Sequence, residues 1–436
     1  MGDTPGSQTI STKLQRIAKQ AACYPGMVFD NLYHMIDVEF LREAYRLTRK
    51  DAAPGVDKVT AKEYAKDLEA DLGDLHERLR LNLYVAPPGE RVWIDKEGGK
   101  KRPIAKACFE DKLVQRAVVM IMQAIFDHDF YPFSHGFRKG HSQHQALREL
   151  RENCRKMGIK WILDADVSGY FDSIDKRLLR EFITRRIKDG GILRLIGKWL
   201  NAGVVEAGVL THPEAGTPQG SVVSPMFSNV FLHYVLDVWF VEAVHPRMKG
   251  RCFLIRFADD FIIGFELEED ARRVMEVLAK RFSRFNLTIH PEKTVLVEFK
   301  PPDQKQSETG KGTFDFLGFT HYWARSRQGY WVIKRRTIGK RLRRFMKAMW
   351  QWCRDNRHEY LSEQYKTLCA KLRGYYQYYG IRGNYKLLEV VYEYTERSWR
   401  YWLSRRSQKS HISWQKFMAT LGEKMPLPKP RIVHNI

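Results

Sequence analysis

Two adjacent aspartates, Asp259 and Asp260, lie between two short apolar runs within residues 253–265. The pattern predicts a β-hairpin that carries both carboxylates at its bend. An ordinary solvated turn is the alternative, because Asp is a common turn residue. The apolar flanks instead indicate strands buried on at least one face, so both carboxylates would lie near a low-dielectric core and need a counter-cation. A hard divalent metal bound through oxygen is the usual one, and we therefore interpret the pair as part of a metal site.

A two-metal site normally takes a further carboxylate from another part of the chain. Asp166 is our candidate, because it follows a strand-like apolar run and lies 93 residues before Asp259. Only a sheet that places distant strands side by side could unite these residues. Asp164 is the rival ligand, and Asp172 could simply cap the helix that follows it.

A glycine-containing hairpin with a cationic tip is predicted after the strand at residues 91–94. Its Lys96 and Arg102 could clamp a triphosphate, the arginine through its two-pronged guanidinium. The alternative is a hairpin tip that is merely exposed to solvent. A second glycine-rich segment, residues 216–225, opens an apolar helix and could present backbone N–H groups to an anion. It lacks the Lys-Ser/Thr ending of a P-loop, which disfavours a nucleotide hydrolase.

Helical periodicity is found in several parts of the chain. Residues 37–49 place apolar side chains on one face, and residues 112–130 form a long helical pattern. Near the C-terminus an apolar stripe at residues 342–349 leaves basic residues on the opposite face. Residues 1–30 offer little pattern, and we expect a loosely ordered extension there.

The charge balance points to a polyanionic partner. The formal net charge is +23, and residues 334–436 hold 24 Lys and Arg against 7 Asp and Glu. Basic residues alternate there with Trp, Tyr and Phe, which fits nucleic acid better than a membrane surface. Arg138, in a basic loop at residues 134–141, could bind a backbone phosphate or could simply be solvated.

Other classes of protein are disfavoured. The apolar runs are shorter than a membrane-spanning helix needs and residues 1–11 are polar, so we expect no membrane partner. The six cysteines include no Cys-x-x-Cys pair. This argues against a zinc finger or a disulfide framework and favours a cytoplasmic location.

Taken in order, these segments resemble the reverse transcriptases encoded by bacterial group II introns, over roughly residues 31–434. The resemblance is carried by residues 53–57, 96–103, 134–140, 166–172, 216–225, 257–260 and 316–319. The sequence departs from the family at Phe257, where Tyr is more frequent, and at Lys139, where Pro is usual. Neither change alters the chemistry that the motifs imply.

The resemblance implies an α+β fold of the right-hand polymerase type, with fingers, a palm built on an antiparallel sheet, and a helical thumb called domain X. The expected divisions are an N-terminal extension at 1–30, fingers at 31–160, palm at 161–333, thumb at 334–404 and a basic C-terminal tail at 405–436. Residues 303–312 are expected to form an insertion loop between palm strands. We expect no C-terminal His-Asn-His endonuclease domain.

The resemblance also implies a metal and sugar site. Asp166, Asp259 and Asp260 would hold two Mg²⁺ ions, and Val167 is included among the metal ligands. Phe171 occupies the position where a flat ring leaves no room for a 2′-hydroxyl, so that deoxynucleotides are preferred. It could equally be a core aromatic residue.

Further residues are expected to contact nucleotide or RNA. Gln219 is expected to touch the incoming nucleotide and Lys293 to lie near its phosphates, together with Lys96 and Arg102. The expected RNA contacts are Arg138, Lys340, Arg343, Arg344 and Lys347.

The implied partners are group II intron RNA, an RNA template with a DNA primer, deoxynucleotides and target DNA. Maturase activity, which is binding of the intron RNA to promote splicing, is implied beside the polymerase. Two alternatives stay open: a mainly RNA-binding splicing maturase, and a host-adopted reverse transcriptase in DNA repair or phage defence. The intact aspartate set argues against a maturase that has lost catalysis.

Overall fold

The structure is a computed structural model that describes residues 5–95, 101–217, 220–302, 312–407 and 411–436, with side chains from residue 10 onward. Two predicted nucleotide contacts, Lys96 and Gln219, lie outside the described residues, as does nearly all of the predicted insertion loop at 303–312. The described chain consists of an N-terminal helical region, a central sheet with its covering helices, and a C-terminal group of helices.

The N-terminal region is mainly helical. Its elements are α1 (Pro5–Cys23), α2 (Val38–Leu47), α3 (Ala61–Tyr64), α4 (Leu68–Arg80), β1 (Gly89–Asp95), β2 (Lys101–Lys106), α5 (Phe109–Phe126) and α6 (Gln143–Lys156). Helix α2 begins where the Asp37 carboxylate accepts a hydrogen bond from the Phe40 amide. Helix α5 is apolar around most of its circumference and is almost entirely buried, so it forms the centre of this region.

The expectation of a loosely ordered N-terminal extension is wrong for residues 5–23, which form α1 and pack against α5. The helix buries Ile10, Ile17 and Ala21, with Leu14 packed beside them. These residues follow the i, i+4, i+7, i+11 spacing of one helical face. The stripe is only one residue wide and lies among polar residues, which is why the pattern was missed.

The central region is built on a four-stranded antiparallel sheet with the order β10-β3-β8-β7. Its elements are β3 (Trp161–Ala165), β4 (Val167–Ser168), α7 (Tyr170–Ser173), α8 (Lys176–Thr184), α9 (Gly190–Asn201), β5 (Val204–Glu206), β6 (Val209–Thr211), α10 (Ser224–Leu232), β7 (Cys252–Phe257), β8 (Asp260–Phe265), α11 (Glu268–Ser283), β9 (Thr288–Ile289) and β10 (Val295–Glu298). Apolar side chains cover both faces of the sheet, because Leu163 and Ile263 join one core cluster while Ile162 and Ile262 join another.

A second four-stranded sheet has the order β2-β1-β5-β6. The predicted hairpin of β1 and β2 is confirmed, with Trp93 paired to Pro103 and Asp95 to Lys101. Strand β5 joins this sheet by parallel pairing with β1. The sheet therefore contains strands from both sides of the predicted boundary at residue 160.

The helix that begins as α10 continues through two π-helical turns and a short 3₁₀ turn to Arg247. The segment Ser224–Arg247 is long and apolar enough to cross a membrane by length and composition alone. However, 67% of its most apolar window is buried inside the protein. Side chains such as Phe227, Phe231 and Leu236 pack in the main core, which is the situation of a core helix.

The C-terminal region begins with a three-stranded antiparallel sheet and continues as helices. Its elements are β11 (Phe314–Phe316), β12 (Phe319–Arg325), β13 (Trp331–Thr337), α12 (Gly339–Asp355), α13 (Leu361–Tyr379), α14 (Tyr385–Leu403) and α15 (Trp414–Phe417). The predicted palm–thumb boundary at residue 333 falls inside β13, and the next helix, α12, begins at Gly339. The apolar stripe on α13 is part of the core, because Leu368, Leu372 and Tyr376 are at most 1% exposed.

Candidate active site

The hairpin of β7 and β8 holds the two adjacent aspartates as the sequence predicts. The strands pair as far as Phe257 opposite Asp260, so that Ala258 and Asp259 form the bend. Ala258 has φ of 59°, a left-handed conformation that an alanine rarely adopts. The strands are buried on both sides of the bend, and Ile255 and Ile262 are fully covered. The bend is therefore held by a rigid, apolar hairpin.

The sheet brings the end of β3 to the same edge as this bend. Strand β3 pairs antiparallel with β8, with Ala165 opposite Phe261. Asp166 is the next residue, so it follows on at the level of Asp260. Its backbone carbonyl accepts a hydrogen bond of 2.7 Å from the His290 amide. The three predicted acids thus lie at one end of the central sheet, although 93 residues separate Asp166 from Asp259.

Two of the acids share a cavity with two other predicted residues. The cavity has a volume of about 310 Å³. Its lining comprises Arg102, Phe137, Phe171, Gly220, Ser224, Pro225, Phe257, Ala258, Asp259 and Asp260. A cationic side chain from β2 thus lines the same cavity as the two carboxylates. The arrangement can accept a ligand that carries negative charge and coordinates a cation.

Asp164, the rival ligand, lies one pleat before Asp166. Burial, together with the nearby charges of Asp260, Asp166 and Asp315, raises the pKa of Asp164 to about 7. These acids therefore crowd negative charge at the edge of the sheet. A bound cation would relieve that repulsion.

The donor set suits a hard divalent ion, because the groups at this edge are carboxylate oxygens. Among the described residues, no three carboxylate, imidazole or thiolate groups are already gathered as a metal site. Instead, the Lys293 ammonium lies 2.6 Å from one oxygen of Asp166. A cation thus already compensates Asp166, and the predicted nucleotide contact Lys293 lies beside the acids.

Phe171 and Val167 are placed by the short elements that follow β3. Phe171 lies in α7 and is 9% exposed, and it belongs to the main core while its remaining surface lines the cavity. The ring is therefore a core residue that also borders the cavity, and its contact with a sugar stays a prediction. Val167 pairs with Ile289 in the two-stranded sheet, and its side chain is buried.

The prediction that Arg138 binds a backbone phosphate is wrong. Its guanidinium donates to the carbonyls of Tyr131, Ser134 and Asp127 at 2.8–2.9 Å, and the side chain is only 9% exposed. The group also stacks over the Phe130 ring. The arginine therefore ties its own loop to the end of α5.

Asp172 does not cap the helix that follows it. Asp175 accepts the hydrogen bond from the Leu178 amide at the start of α8.

The remaining predicted RNA contacts lie on α12. Lys340, Arg343, Arg344 and Lys347 are all exposed. The opposite face of the helix carries Met349, which is 1% exposed. The helix is therefore amphipathic as predicted, with its basic face open to solvent.

Comparison with known proteins decides the family. The family model "Reverse transcriptase (RNA-dependent DNA polymerase)" matches residues 94–321, slightly more than half of the chain. The chain belongs to the reverse transcriptase family. The predicted α+β fold of the right-hand polymerase type is thereby confirmed. Reverse transcriptases generally use divalent metal ions, and the family implies nucleic acid partners.

The chain is also similar in sequence to individual curated proteins. The reverse transcriptase is 35% identical over 231 residues to "Protein YkfC" of Escherichia coli, covering 51% of this chain and 61% of the relative. It is 33% identical over 283 residues to "Group II intron-encoded protein LtrA" of Lactococcus lactis subsp. cremoris, covering 62% and 46%. It is 32% identical over 124 residues to "Nuclear intron maturase 1, mitochondrial" of Arabidopsis thaliana, covering 27% and 17%. The chain thus spans less than two thirds of the length of these relatives.

A buried ion pair behind the aspartate bend was not predicted. Arg256 and Asp237 are both fully buried, and the guanidinium donates to both carboxylate oxygens at 2.8 and 2.5 Å. The same guanidinium donates to the Ala258 carbonyl and to the Asn229 side chain, each at 3.1 Å. The Arg256 guanidinium thus holds the backbone of the aspartate bend in place. The signal in the sequence was an arginine in the middle of an apolar strand, which must find a partner when buried.

The loop at residues 134–140 supports the bend from the other side. The Asn229 amide donates to the Gly136 carbonyl at 2.7 Å. A Cβ atom at Gly136 would lie 2.2 Å from the Ala258 nitrogen, so only glycine permits this approach. This loop, which contains the predicted phosphate contact Arg138, therefore supports the aspartate hairpin.

A second buried acid fixes the entry to α10. Asp111 accepts hydrogen bonds from the Trp199 indole at 2.8 Å and the Gln115 amide at 2.7 Å, and also from the Tyr84 hydroxyl. Burial raises the pKa of Asp111 to about 6, against the opposing effect of these hydrogen bonds. The Gln115 oxygen in turn accepts from the Val222 amide at 2.7 Å. This network positions the end of the glycine-rich segment beside the cavity.

Proposed function

We propose that this chain is an RNA-directed DNA polymerase encoded by a group II intron, which copies intron RNA into DNA from a primer. One observation carries the proposal: Asp259, Asp260, Arg102 and Phe171 line a single cavity at the edge of the central sheet. A metal-binding acid pair, a phosphate-binding cation and a sugar-facing ring are the groups that nucleotide addition requires.

The acids are assigned to metal binding. Asp166, Asp259 and Asp260 would hold two Mg²⁺ ions, with Val167 adjoining Asp166. When bound, such ions lower the pKa of the primer 3′-hydroxyl and neutralise charge on the triphosphate and the leaving pyrophosphate. In the structure, the Lys293 ammonium lies 2.6 Å from one oxygen of Asp166 and balances its charge.

The other residues orient the nucleotide. Arg102 lines the same cavity as Asp259 and Asp260 and is assigned to the phosphates of the nucleotide, which a guanidinium can bind through two parallel N–H groups. Phe171 is fixed by the core on one side, so its ring cannot withdraw from a sugar in the cavity. Lys96 and Gln219 are assigned to the triphosphate and to the incoming nucleotide from the family resemblance.

The test is RNA-templated primer extension by Asp259→Ala. We expect activity to fall by about 10³-fold or more, because a positioned metal ligand supplies several kcal/mol of transition-state stabilisation. Binding of the primer–template should stay within about twofold of the unaltered chain. Asp30→Ala, at an exposed acid outside the cavity, is the matched control and should extend normally. Undiminished synthesis by Asp259→Ala would refute the proposal.

A second function is supported by the exposed basic face of α12. Lys340, Arg343, Arg344 and Lys347 offer an electrostatic surface to RNA that does not involve the aspartates. We assign this surface to binding of the group II intron RNA as a maturase. Target DNA and a cytoplasmic location complete the proposal, and a host-adopted role in repair or phage defence is the alternative.

A further inference from the structure

A groove on the central region lies between the end of the long helix at Arg247 and α11. Its volume is about 670 Å³, which makes it larger than the cavity at the aspartates. The floor includes Trp239 together with the buried residues Val244 and Val274. The groove and the aspartate cavity share no lining residue. It is therefore a separate surface that the proposed catalytic function does not use.

The rim of the groove is strongly cationic. Arg247, Arg273, Lys280 and Arg284 are all exposed, and Glu276 is the acid among the lining residues. Within the described parts of the chain, no carboxylate lies within ion-pair distance of these four cations. Arg272, which does not line the groove, is by contrast paired with Glu268 at 2.6 Å. Positive charge on the groove side is thus left for an external partner.

The spacing of the cations fits an extended partner rather than a single anion. Arg273, Lys280 and Arg284 are seven and four residues apart along α11. At 1.5 Å per residue they extend over roughly 16 Å of the helix axis. One phosphate could contact only one of them at a time. A polyanion that runs along the helix would contact all three.

The apolar floor favours a single strand over a duplex. Trp239 is half-buried beside Arg281, whose guanidinium donates to the carbonyls of Tyr234 and Val235 at 3.0 and 2.9 Å and is thereby fixed. Bases freed from a duplex can rest on such an aromatic and aliphatic floor while their phosphates meet a cationic rim. We propose that this groove binds a single-stranded segment of RNA. Its phosphates follow Arg273, Lys280 and Arg284, and its bases face Trp239.

The experiment compares two triple variants of the full chain. Arg273→Glu, Lys280→Glu and Arg284→Glu together reverse the rim. Arg177→Glu, Arg180→Glu and Lys188→Glu reverse three exposed cations outside the groove and serve as the matched control. Each protein is first saturated with an unlabelled RNA–DNA primer–template, and a fluorescent 20-nucleotide oligouridine is then titrated at several salt concentrations.

We expect the groove variant to bind oligouridine at least about tenfold more weakly than the control. Its plot of log affinity against log salt should lose about 2 units of slope, because each contacted phosphate of a single strand contributes about 0.7. Oligouridine that contains 4-thiouridine should cross-link to a peptide within residues 239–284 in the control, and the groove variant should lose this cross-link.

Equal oligouridine affinity in the two variants would overturn the proposal, as would cross-links that fall only outside residues 239–284. Tighter binding of a 20-residue polyglutamate than of oligouridine at the groove would also overturn it, in favour of an acidic protein partner. Primer extension is measured on the same preparations. Failure of extension by the unaltered chain would count against the proposed polymerase, whereas normal extension with unchanged oligouridine binding would count against the groove alone.

Discussion

Phe171 shows how one side chain can belong to the core and to the site. Its ring packs against Tyr170 at a centroid distance of 5.3 Å, while its 9% exposed surface lines the aspartate cavity. The backbone carbonyl of Phe171 also accepts a hydrogen bond of 2.9 Å from Thr217, at the glycine-rich segment. The ring is therefore held by core packing and its backbone by a hydrogen bond, which is the rigidity that the proposed steric gate requires.

Phe171→Val should admit ribonucleotides. The smaller side chain leaves room for a 2′-hydroxyl, and we expect the preference for deoxynucleotides in kcat/KM to fall by about 10²-fold. Phe137→Ala removes another ring from the same cavity and should leave the preference unchanged. Single-nucleotide incorporation with dNTP and NTP measures both. Equal sugar discrimination in Phe171→Val and the unaltered chain would show that the ring is only a core residue.

The location of the acids was easier to predict from residue type than the contacts of Arg138. Asp259 and Asp260 were found because carboxylates beside buried strands require a counter-charge. Arg138 was misread because a basic residue in a glycine-rich loop looks the same in sequence whether it meets a phosphate or three carbonyls of its own chain. Only the structure shows that its donors are already used.

At the scale of elements, the aspartate hairpin depends on the loop at residues 133–140, which packs against its bend. The Arg256 amide donates to the Phe133 carbonyl at 2.9 Å, and the His135 amide donates to the Arg256 carbonyl at 2.8 Å. Gly136 then passes against Ala258 with no space for a side chain. The position of Asp259 is thus set by an element more than a hundred residues earlier in the chain.

Gly136→Ala tests this support. Because the added methyl would meet the Ala258 backbone, the hairpin must shift, and we expect a loss of roughly 1–3 kcal/mol in the free energy of unfolding. Primer extension should fall by at least about tenfold, while RNA affinity is retained. Gly73→Ala is the matched control, because a Cβ there meets nothing within 4 Å and α4 should gain about 0.5–1 kcal/mol. Similar extension rates for the two variants would contradict the account.

Elements with a strong local pattern were predictable, and those fixed by distant contacts were not. The hairpin of β7 and β8 follows from two apolar runs and a bend, and α2 follows from its cap and apolar face. Helix α1 was missed because its narrow stripe gains its stability from packing on α5. Strand β5 is three residues long and is fixed by pairing with β1. That pairing joins residues more than a hundred positions apart, so the sequence around β5 does not predict it.

At the scale of the whole molecule, the acids and the basic α12 face lie in different regions of the chain. The aspartates lie on the central sheet, whereas Lys340 to Lys347 lie on α12. The two functions that we propose can therefore be separated by substitution. The sequence predicts both features, because the aspartates form a spaced motif and the basic face is an excess of Lys and Arg. The groove between Arg247 and α11 could not be predicted, because its lining comes mainly from two helices that pack together only in the fold.

We expect the Asp259→Ala variant to keep close to the normal rate of splicing of the cognate intron RNA. The same variant should no longer synthesise cDNA. Glu replacements at Lys340, Arg343, Arg344 and Lys347 together should instead weaken intron binding by at least about tenfold and slow splicing. The intron is identified beforehand by sequencing RNA that copurifies with the protein. Loss of splicing in Asp259→Ala, with intact RNA binding, would show that the two functions share one site.

The central claim is that carboxylates far apart in the chain meet at one divalent-metal site. The most direct measurement is Fe²⁺-directed hydroxyl-radical cleavage of the protein with primer–template bound. We predict backbone cuts in two segments, near residues 164–168 and near residues 257–261, which excess Mg²⁺ suppresses and Asp259→Ala removes. Cuts confined to one of these segments, or cuts that persist in Asp259→Ala, would contradict the account.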